Sequence, residues 1–289
     1  MDFSNNPHLK DYLRKKEIEE AAKKASRKRI VEEQNKKKWL EYQQDLRNTF
    51  GLGYAHSSLS YVENDLLLYY DASIFASYSG SGSTINDLSK NNRNGTIVGS
   101  PPWNSAGYFT FSNDHIITPD LDQVITIGDE AHSVEVWINP TNNGVIASHL
   151  GQSAVDDGYH NSIIELVSGQ VEFGLWTGVG ITSTGGTGAL SFNEWHQLVL
   201  TYGGHGTPVK GYIDGVLVGQ TANVNFSSPM DNLTSEFRIA FGALDSTNQG
   251  DGTYFDGRMA IIRVYGKKLT DAEIIQNYAS HHRRFVYNG

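Results

Sequence analysis

The sequence predicts a mainly β protein, an antiparallel sandwich or barrel preceded by a long N-terminal α-helix and closed by a short C-terminal helix. Short apolar segments with period-two alternation follow one another along most of the chain, bounded by Gly, Asn, Asp or Pro. No helical pattern separates these segments, which favours antiparallel strands over parallel ones. Thirty glycines against seven prolines in 289 residues indicate many turns.

The first 50 residues predict a basic, polar helical arm. Asn6 can cap the helix, Pro7 suits its first position, and Gly51 is a stop signal. The apolar residues cluster near the two ends of this arm, and no heptad pattern persists, so a self-sufficient coiled coil is not predicted. We expect the helix to gain order by packing these ends on other proteins or subunits. The residues expected to mediate this assembly are Leu9, Leu13, Trp39, Tyr42, Leu46 and Phe50.

Charge separates the arm from the rest of the chain. Residues 1–49 hold 13 Lys and Arg against 9 Asp and Glu, whereas residues 50–289 hold 10 against 23. We therefore expect three parts: the arm at 1–50, a linker at 51–64 and a β domain at 65–289. Acidic residues are interleaved with the basic clusters of the arm, and no aromatic residue lies among them to stack on a base. A protein partner is therefore expected rather than a nucleic acid, with simple solvation of the helix as the alternative.

Three dipeptides predict hairpins within the β domain. Asp214-Gly215 lies between two alternating segments and predicts a two-residue primed turn. Ser168-Gly169 predicts a second, looser hairpin, and Asn94-Gly95 a third. The predicted strand segments are "DLLLYYDAS", "YFTFS", "HSVEVWINP", "SIIELVSGQVEFGLW", "EWHQLVLTY", "VKGYIDGVLVG", "FRIAFGA" and "GRMAIIRVYG".

The C-terminal segment predicts a capped helix that packs against the sandwich. Thr270 and Glu273 have the spacing of a capping box, and Asp271 lies in the first turn near the positive end of the helix dipole. An apolar side and a basic last turn follow; their residues are Ile274, Ile275 and Tyr278, then His281 to Arg284.

The order "YYDAS", "NNRNGTIVG", "HSVEVWINP", "FNEWHQLVLTY", "GYIDGVLVG" and "FDGRMAIIRVYGKKLTDAEI" resembles the laminin G-like branch of the concanavalin A-like lectin and glucanase superfamily. The resemblance covers roughly 66–285 and leaves the arm outside. It implies a jelly-roll sandwich of two curved antiparallel sheets, with Trp137 and Trp195 in the core. Ala260 and Ile261 are apolar where the family usually has acidic residues, so we expect their strand to be buried on both faces, under the arm or a neighbouring subunit.

The carboxylates do not predict catalysis. Glucanase members of the superfamily place two or three carboxylates at alternate positions on one strand, which gives the separation needed for a nucleophile and an acid. Here Glu135, Glu165 and Glu172 each stand alone on a predicted strand, where a solvated or hydrogen-bonded surface role is expected. No nucleophile elbow, His-Glu-x-x-His or phosphate-binding loop is present. We expect no enzymatic activity.

Two loops contain the oxygen ligands that calcium prefers, so calcium is the cofactor for which the sequence offers a site. The richer loop holds Asp245, Asn248, Asp251 and Asp256; the other holds Asp156, Asp157 and Asn161. The alternative is that Asp, Asn and Gly are simply the residues that make turns.

Several aromatic residues near predicted loops are suited to sugar binding. Aromatic rings pack on the C–H faces of sugars, while nearby polar groups bind the hydroxyls. The expected ligand-binding residues are Tyr159, His160, Trp176 and Tyr254, with aromatic packing in the core or at the rim of the sandwich as the alternative for Trp176 and Tyr254.

The chain has no cysteine, no apolar segment long enough to span a bilayer and no signal-peptide pattern. The fold resembles extracellular binding domains, yet the chain is expected to be made in a host cytoplasm without an export signal. Together these features suggest a non-enzymatic virion structural protein, for example a capsid, collar or tail decoration, fibre or spike of a phage. The protein would be present in many copies or as a homo-oligomer. Its helix would bind other virion proteins, and its jelly-roll domain would bind cell-surface glycans, other polymers or receptors. A bacterial glycan-binding module or glycan-active enzyme is the alternative, and a cement protein without ligand is a third.

Overall fold

The structure is a computed structural model that describes residues 16, 60–119, 121, 130–150, 160–176, 181–225, 237–243 and 252–286. All of these except Lys16 belong to the second of two units of the chain, Leu59–Gly289. The six assembly residues of the arm lie outside the described residues. None of the helices in the described ranges is long and apolar enough to cross a membrane.

The described part of the second unit consists mainly of short strands, followed by a C-terminal helix. The elements are β1 (Leu66–Asp71), β2 (Thr84–Ile85), β3 (Gly95–Val98), β4 (Trp103–Asn104), β5 (Tyr108–Phe111), β6 (His115–Ile117), β7 (His132–Pro140), β8 (Gly144–Leu150), β9 (His160–Val167), β10 (Gln170–Trp176), β11 (Ile181–Ser183), β12 (His196–Tyr202), β13 (Thr207–Ile213), β14 (Val216–Val224), β15 (Phe237–Ile239), β16 (Phe241–Ala243), β17 (Gly252–Tyr254), β18 (Gly257–Tyr265) and α1 (Asp271–Val286).

The strands form two eight-stranded sheets and a small hairpin. Sheet A has the order β14-β13-β12-β7-β18-β5-β4, with β1 also paired to β18. Sheet B has the order β11-β10-β9-β8-β15-β6-β3-β2, and β16 pairs with β17. The strand pairs are antiparallel, for example β7 with β12 and β18. The predicted mainly β, antiparallel architecture is confirmed.

The core of the sandwich lies between the two sheets. Alternate residues of β7, such as Val136 and Ile138, pack in one buried cluster with Leu166 and Phe173 of sheet B. The sheets approach so closely at β13 that a Cβ on Gly211 would overlap the ring of Phe173. Glycine is therefore required at this position for its lack of a side chain.

Helix α1 covers the outer face of sheet A and creates a second buried layer. Trp137 lies in this layer, where its ring stacks on Tyr278 at 5.6 Å and on Phe285 at 4.6 Å. The sequence places Trp137 in the sandwich core, and this is corrected: its alternation with Val136 directs it to the opposite face of β7. Trp195 is also on the outer face, and it is only partly buried.

Strand β18 is buried on both faces, as predicted, but the expected cover is corrected. Ala260 and Ile261 pack in the layer formed with α1 and with Val62. The chain's own C-terminal helix therefore supplies a cover that the sequence analysis assigned to the arm or a neighbouring subunit.

The capping box that begins α1 is confirmed. The backbone N–H of Glu273 donates to Oγ1 of Thr270 at 3.3 Å, and the N–H of Thr270 donates to Oε2 of Glu273 at 2.9 Å. These reciprocal bonds satisfy backbone donors that the first turn would otherwise leave unpaired.

Two of the three predicted hairpins are present. Asp214 and Gly215 have φ of 51° and 78°, and Ser168 and Gly169 have 51° and 74°, so both loops are tight primed turns. The hairpin at Asn94-Gly95 is wrong, because Gly95 begins β3 and pairs with Ile85. It is a glycine because a Cβ there would lie 2.8 Å from the hydroxyl of Tyr70 and 2.9 Å from Ile85.

Candidate functional site

Four side chains from different elements meet at one end of the outer face of sheet A, beside the last turn of α1. They are Tyr108 on β5, Asn139 on β7, Trp195 just before β12 and Arg258 on β18, and we call them the aromatic–arginine patch. Arg258 lies directly opposite Asn139 in the register of β18 and β7. Residue 196, which follows Trp195, pairs with Ile138, so the strand register alone brings Trp195 next to Asn139.

The rings of the patch contact one another and rest on a buried aromatic layer. The guanidinium of Arg258 lies 5.2 Å from the ring centroid of Tyr108. The Tyr108 ring lies 5.8 Å from that of Trp195 at 62°, and Trp195 lies 4.6 Å from the buried ring of Phe285. Because Phe285 in turn stacks on Trp137, the two partly exposed rings are held from below.

The polar groups of the patch have no partners among the residues that the structure describes. The amide of Asn139, the indole N–H of Trp195, the hydroxyl of Tyr108 and the guanidinium of Arg258 make no hydrogen bond or ion pair with the described residues. Asn139 is only 4% exposed. The amide of Asn139 is not one of the fully buried, unsatisfied groups of the described residues, so its polar atoms reach solvent at the base of the patch. An amide placed beneath two partly exposed rings is a group to which a ligand can hydrogen-bond.

The chemistry of the patch suits binding rather than catalysis. It combines two aromatic surfaces with a guanidinium and an amide, the groups that hold the C–H faces and oxygens of a saccharide. None of the four side chains is a carboxylate or a general base. A nucleophile and an acid for glycoside hydrolysis are therefore missing from the patch itself.

The calcium candidate Asp256 lies between β17 and β18, where it is hydrogen-bonded to the turn between β7 and β8 beside the patch. The backbone N–H of Thr141 donates to the carbonyl of Asp256 at 3.0 Å, and Nδ2 of Asn142 donates to its Oδ2 at 3.5 Å. Asn161 of the second loop lies on β9, and the remaining calcium candidates lie outside the described residues; these are Asp156, Asp157, Asp245, Asn248 and Asp251. Among the residues that the structure describes, no group of three or more His, Cys, Asp or Glu could hold a metal.

The predicted sugar-binding set is divided between the two ends of sheet B. Tyr159 lies outside the described residues. His160 begins β9 and pairs with Leu150, and Trp176 ends the antiparallel neighbour β10, so these two share one end of the sheet. The backbone of Tyr254 lies beside Gly144, at the opposite end of β8. The structure therefore does not bring Tyr254 together with His160 and Trp176, because β8 separates them.

Glu135 is part of a fully buried polar network under α1. Its Oε1 accepts hydrogen bonds from Arg263 at 3.2 Å and Gln197 at 2.9 Å, and its Oε2 accepts from Asn277 of α1 at 2.6 Å. Burial alone would lower the pKa of Arg263, but the charge of Glu135 raises that pKa above its ordinary value. Glu135 is hydrogen-bonded, which was one of the two expected roles, but the expected position on the surface is corrected because the residue is fully buried.

Glu165 and Glu172 stand alone on their own strands but lie directly opposite each other across β9 and β10. Glu172 accepts a hydrogen bond from Ser183 at 3.0 Å, and Glu165 is 3% exposed. The neighbouring Ser148 and Ile163 on this outer face of sheet B are fully buried. Glu165 is therefore closed off from solvent, whereas Glu172 is partly exposed.

Sequence reasoning missed the patch for a definable reason. Period-two alternation places Asn139 on the same face of β7 as Trp137. Because Trp137 was assigned to the core, that face was expected to be buried. Trp195 was assigned to the core, and Tyr108 and Arg258 drew no attention because each is ordinary within its own strand. Only the register of β18 against β7 and β5 shows that these residues meet.

The chain belongs to the concanavalin A-like lectin/glucanases superfamily. The laminin G-like family model with that description matches residues 105–275, a range that includes all four patch residues. The resemblance inferred from the sequence is confirmed. No curated protein matches the sequence significantly.

Solved structures with the same fold include toxin structures and one domain of an enzyme. The binding domain of botulinum neurotoxin DC in complex with rat synaptotagmin II is 14% identical, with a TM-score of 0.52 over 76% of this chain and 52% of the toxin chain. A second similar structure is of botulinum neurotoxin type C, whose cell entry depends on interaction with two ganglioside molecules. It is 14% identical, with a TM-score of 0.54 over 76% of this chain and 52% of the toxin chain. This chain thus spans about half the length of the toxin chains.

Domain 4 of AbnA, a GH43 extracellular arabinanase from Geobacillus stearothermophilus, was solved in complex with arabinotriose. It is 18% identical, with a TM-score of 0.52 over 75% of this chain and 100% of that domain. At these identities the similarity shows the shared jelly-roll fold.

Proposed function

We propose that this protein is a non-enzymatic, lectin-like binding protein that takes a saccharide at the aromatic–arginine patch. The observation that carries the proposal is the amide of Asn139, which has no partner in the described residues and reaches solvent at the base of two partly exposed rings. A saccharide can use both features at once, because it has apolar C–H faces and many hydrogen-bonding oxygens.

The comparisons support a binding role without specifying the ligand. Arabinotriose is bound in the arabinanase domain, while synaptotagmin and gangliosides are named with the toxin domains. We favour a saccharide over a protein receptor because four residues around two rings match the size of one or two sugar units. A stable protein interface buries about 800 Å² on each partner, far more than such a patch offers.

The rival function is a glycan-active enzyme or a bacterial glycan-binding module of the same superfamily. The observation that favours the enzyme is the Glu165–Glu172 pair, in which two carboxylates face each other across β9 and β10. Incubation of the full chain with polysaccharides, followed by analysis of reducing ends, separates the two classes. Cleavage that is lost in Glu172→Gln would establish the enzyme.

A glycan array probed with the purified full chain tests the lectin proposal directly. We expect binding to a restricted set of glycans, because one patch with fixed donors selects among saccharides. The array is probed with calcium and with a chelator, so that a dependence on the Asp256 loop is seen as well. A clean negative under both conditions would contradict the proposal.

We further propose that the domain is displayed on a virion, for which the sequence supplies the support. The first 49 residues are basic and the remainder acidic, which fits an arm and a body that meet different partners. Many copies on one particle would raise a weak single-site affinity through avidity. Mass spectrometry of purified particles tests this role. Absence of the chain from particles, or unchanged incorporation after deletion of residues 1–50, would refute it.

A further inference from the structure

We infer that the saccharide bound at the aromatic–arginine patch carries an anionic group, a carboxylate or a sulfate, that docks on Arg258. This inference rests on the proposed function and specifies the class of ligand. It starts from the state of Arg258, which is exposed and has no acidic partner among the described residues.

Other arginines of the domain are committed to acceptors within the protein. Arg263 pairs with Glu135 at 3.2 Å, Arg284 pairs with Asp71 at 2.8 Å, and Arg93 donates to the carbonyl of Leu67 at 2.9 Å. Arg258 instead lies over the ring of Tyr108 and leaves its hydrogen-bonding edge free. Stacking on an aromatic ring orients a guanidinium plane while its N–H donors still point outward.

The patch is rich in donors. The guanidinium of Arg258 and the indole N–H of Trp195 can only donate, and the amide of Asn139 adds two further N–H groups. Sites for neutral sugars usually need acceptors as well, because every hydroxyl is also a donor. Nearby Glu194 and Asp256 already interact within the protein. A carboxylate or sulfate, which only accepts, complements such a set better than a neutral hydroxyl does.

The position of Arg258 on a strand fixes where the anion would lie. Its register partners are Asn139 on β7 and Thr110 on β5, so its backbone is fixed between two strands, and its guanidinium lies over the Tyr108 ring. Residues 50–289 carry 10 basic against 23 acidic residues, so an anionic ligand is disfavoured over most of the surface. An arginine without an acidic partner therefore determines both the place and the orientation of the bound anion.

A matched pair of probes tests the inference. Methyl β-D-glucuronide and methyl β-D-glucoside differ only in the carboxylate at C6, and galactose 6-sulfate and galactose form the corresponding sulfate pair. Each is titrated into the full-length protein by NMR. We expect one of the anionic probes to bind about tenfold tighter than its neutral partner or better, the usual gain from a charged hydrogen bond.

Substitutions of Arg258 show whether this residue causes the difference in affinity between the anionic and neutral probes. Arg258→Gln should bring the anionic and neutral probes to within about threefold of each other, and Arg258→Lys should retain part of the difference because it keeps the charge but not the fork. Lys210→Gln removes a cation of sheet A outside the patch and should change nothing. Equal affinity of both pairs for the unmodified protein, or full discrimination by Arg258→Gln, would overturn the inference.

The proposed function and the inference fail in different ways. If neutral and anionic probes bind equally and both are lost in Trp195→Ala, the saccharide site stands and the anionic ligand is wrong. If no probe binds here and the glycan array is also negative, the saccharide site itself is wrong, and the inference falls with it.

Discussion

Arg263 and Glu135 form an ion pair in which neither side chain is exposed at all. The guanidinium lies against the rings of both Tyr61 and Tyr69, at 4.6 Å and 4.4 Å from their centroids. The other oxygen of Glu135 accepts a hydrogen bond from Asn277. This pair therefore connects β7 and β18 with α1 and with the segment that enters the domain.

Removal of one partner of this pair should destabilise the fold more than removal of both. Arg263→Met leaves a buried carboxylate and Glu135→Gln leaves a buried guanidinium, and we expect each to lower the free energy of unfolding by about 3–5 kcal/mol. The double variant should lose clearly less free energy of unfolding than the two single variants lose together, because it leaves no buried charge. Urea unfolding of the four proteins measures the cycle; simple additivity of the two losses would contradict this account.

Acid should destabilise the protein well before its carboxylates titrate, because of a buried histidine. Burial lowers the pKa of His132 to about 4, although the hydrogen bond to the Glu130 carbonyl opposes this shift. An unfolded histidine titrates near 6.5, so between about pH 6.5 and 4 the unfolded state binds a proton that the folded state does not. Stability contributed by neutral His132 is thus present above this window and is lost as the pH falls through it.

The expected slope is about 1.4 kcal/mol per pH unit for one such histidine. Burial and the charge of Arg263 also lower the pKa of His281, which acts in the same direction. Urea midpoints between pH 4.5 and 6.5 measure the slope in the unmodified protein and in His132→Gln. A slope that does not become shallower in His132→Gln would show that His132 is not the group responsible.

Gly211 should be far less tolerant of alanine than Gly186. A Cβ at Gly211 meets the ring of Phe173, which is buried between the sheets and cannot withdraw, whereas a Cβ at Gly186 meets the flexible amide end of Gln170. Overpacking of a core costs about 1–3 kcal/mol, so Gly211→Ala should lose that much and Gly186→Ala about 0.5 kcal/mol or less. Equal losses in urea unfolding would mean that the sheets are not in close contact at β13.

Asn139 offers a test in which stability and binding move in opposite directions. Asn139→Leu removes an unpartnered, 4% exposed amide and keeps its approximate volume, so we expect the free energy of unfolding to stay equal or rise by about 1 kcal/mol. The same change should weaken binding of any glycan selected on the array. A loss of stability with unchanged binding would indicate that Asn139 serves the fold and not the site.

The sequence predicted the local features and could not predict the long-range ones. The Asp214-Gly215 turn and the Thr270–Glu273 capping box were correct because their chemistry lies within four residues. The sequence also predicted that α1 packs against the sandwich, but the cover of β18 was assigned wrongly because nothing local shows that α1 lies over Ala260 and Ile261. Likewise, the glycan-site prediction followed aromatic residues near long loops, whereas the patch arises from the register of strands distant in sequence.

The carboxylates show the same limit. Glu165 and Glu172 appear solitary when each strand is read along its own length, and the β9–β10 register places them opposite each other. Glu135 looks like a surface residue by alternation alone, yet α1 and Asn277 enclose it. Alternation assigns a residue to a face of a sheet, but what covers that face depends on tertiary packing.

The central claim is that the aromatic–arginine patch is the glycan site, and calorimetric titration of one array-selected glycan into two matched variants tests it most directly. Trp195→Ala removes a ring of the patch, and Phe75→Ser removes an aromatic residue that is 79% exposed on a turn outside it. We expect Trp195→Ala to weaken binding about tenfold or more, as loss of an aromatic stacking surface typically does, and Phe75→Ser to leave it unchanged. Unchanged affinity in a folded Trp195→Ala protein would contradict the assignment of the site.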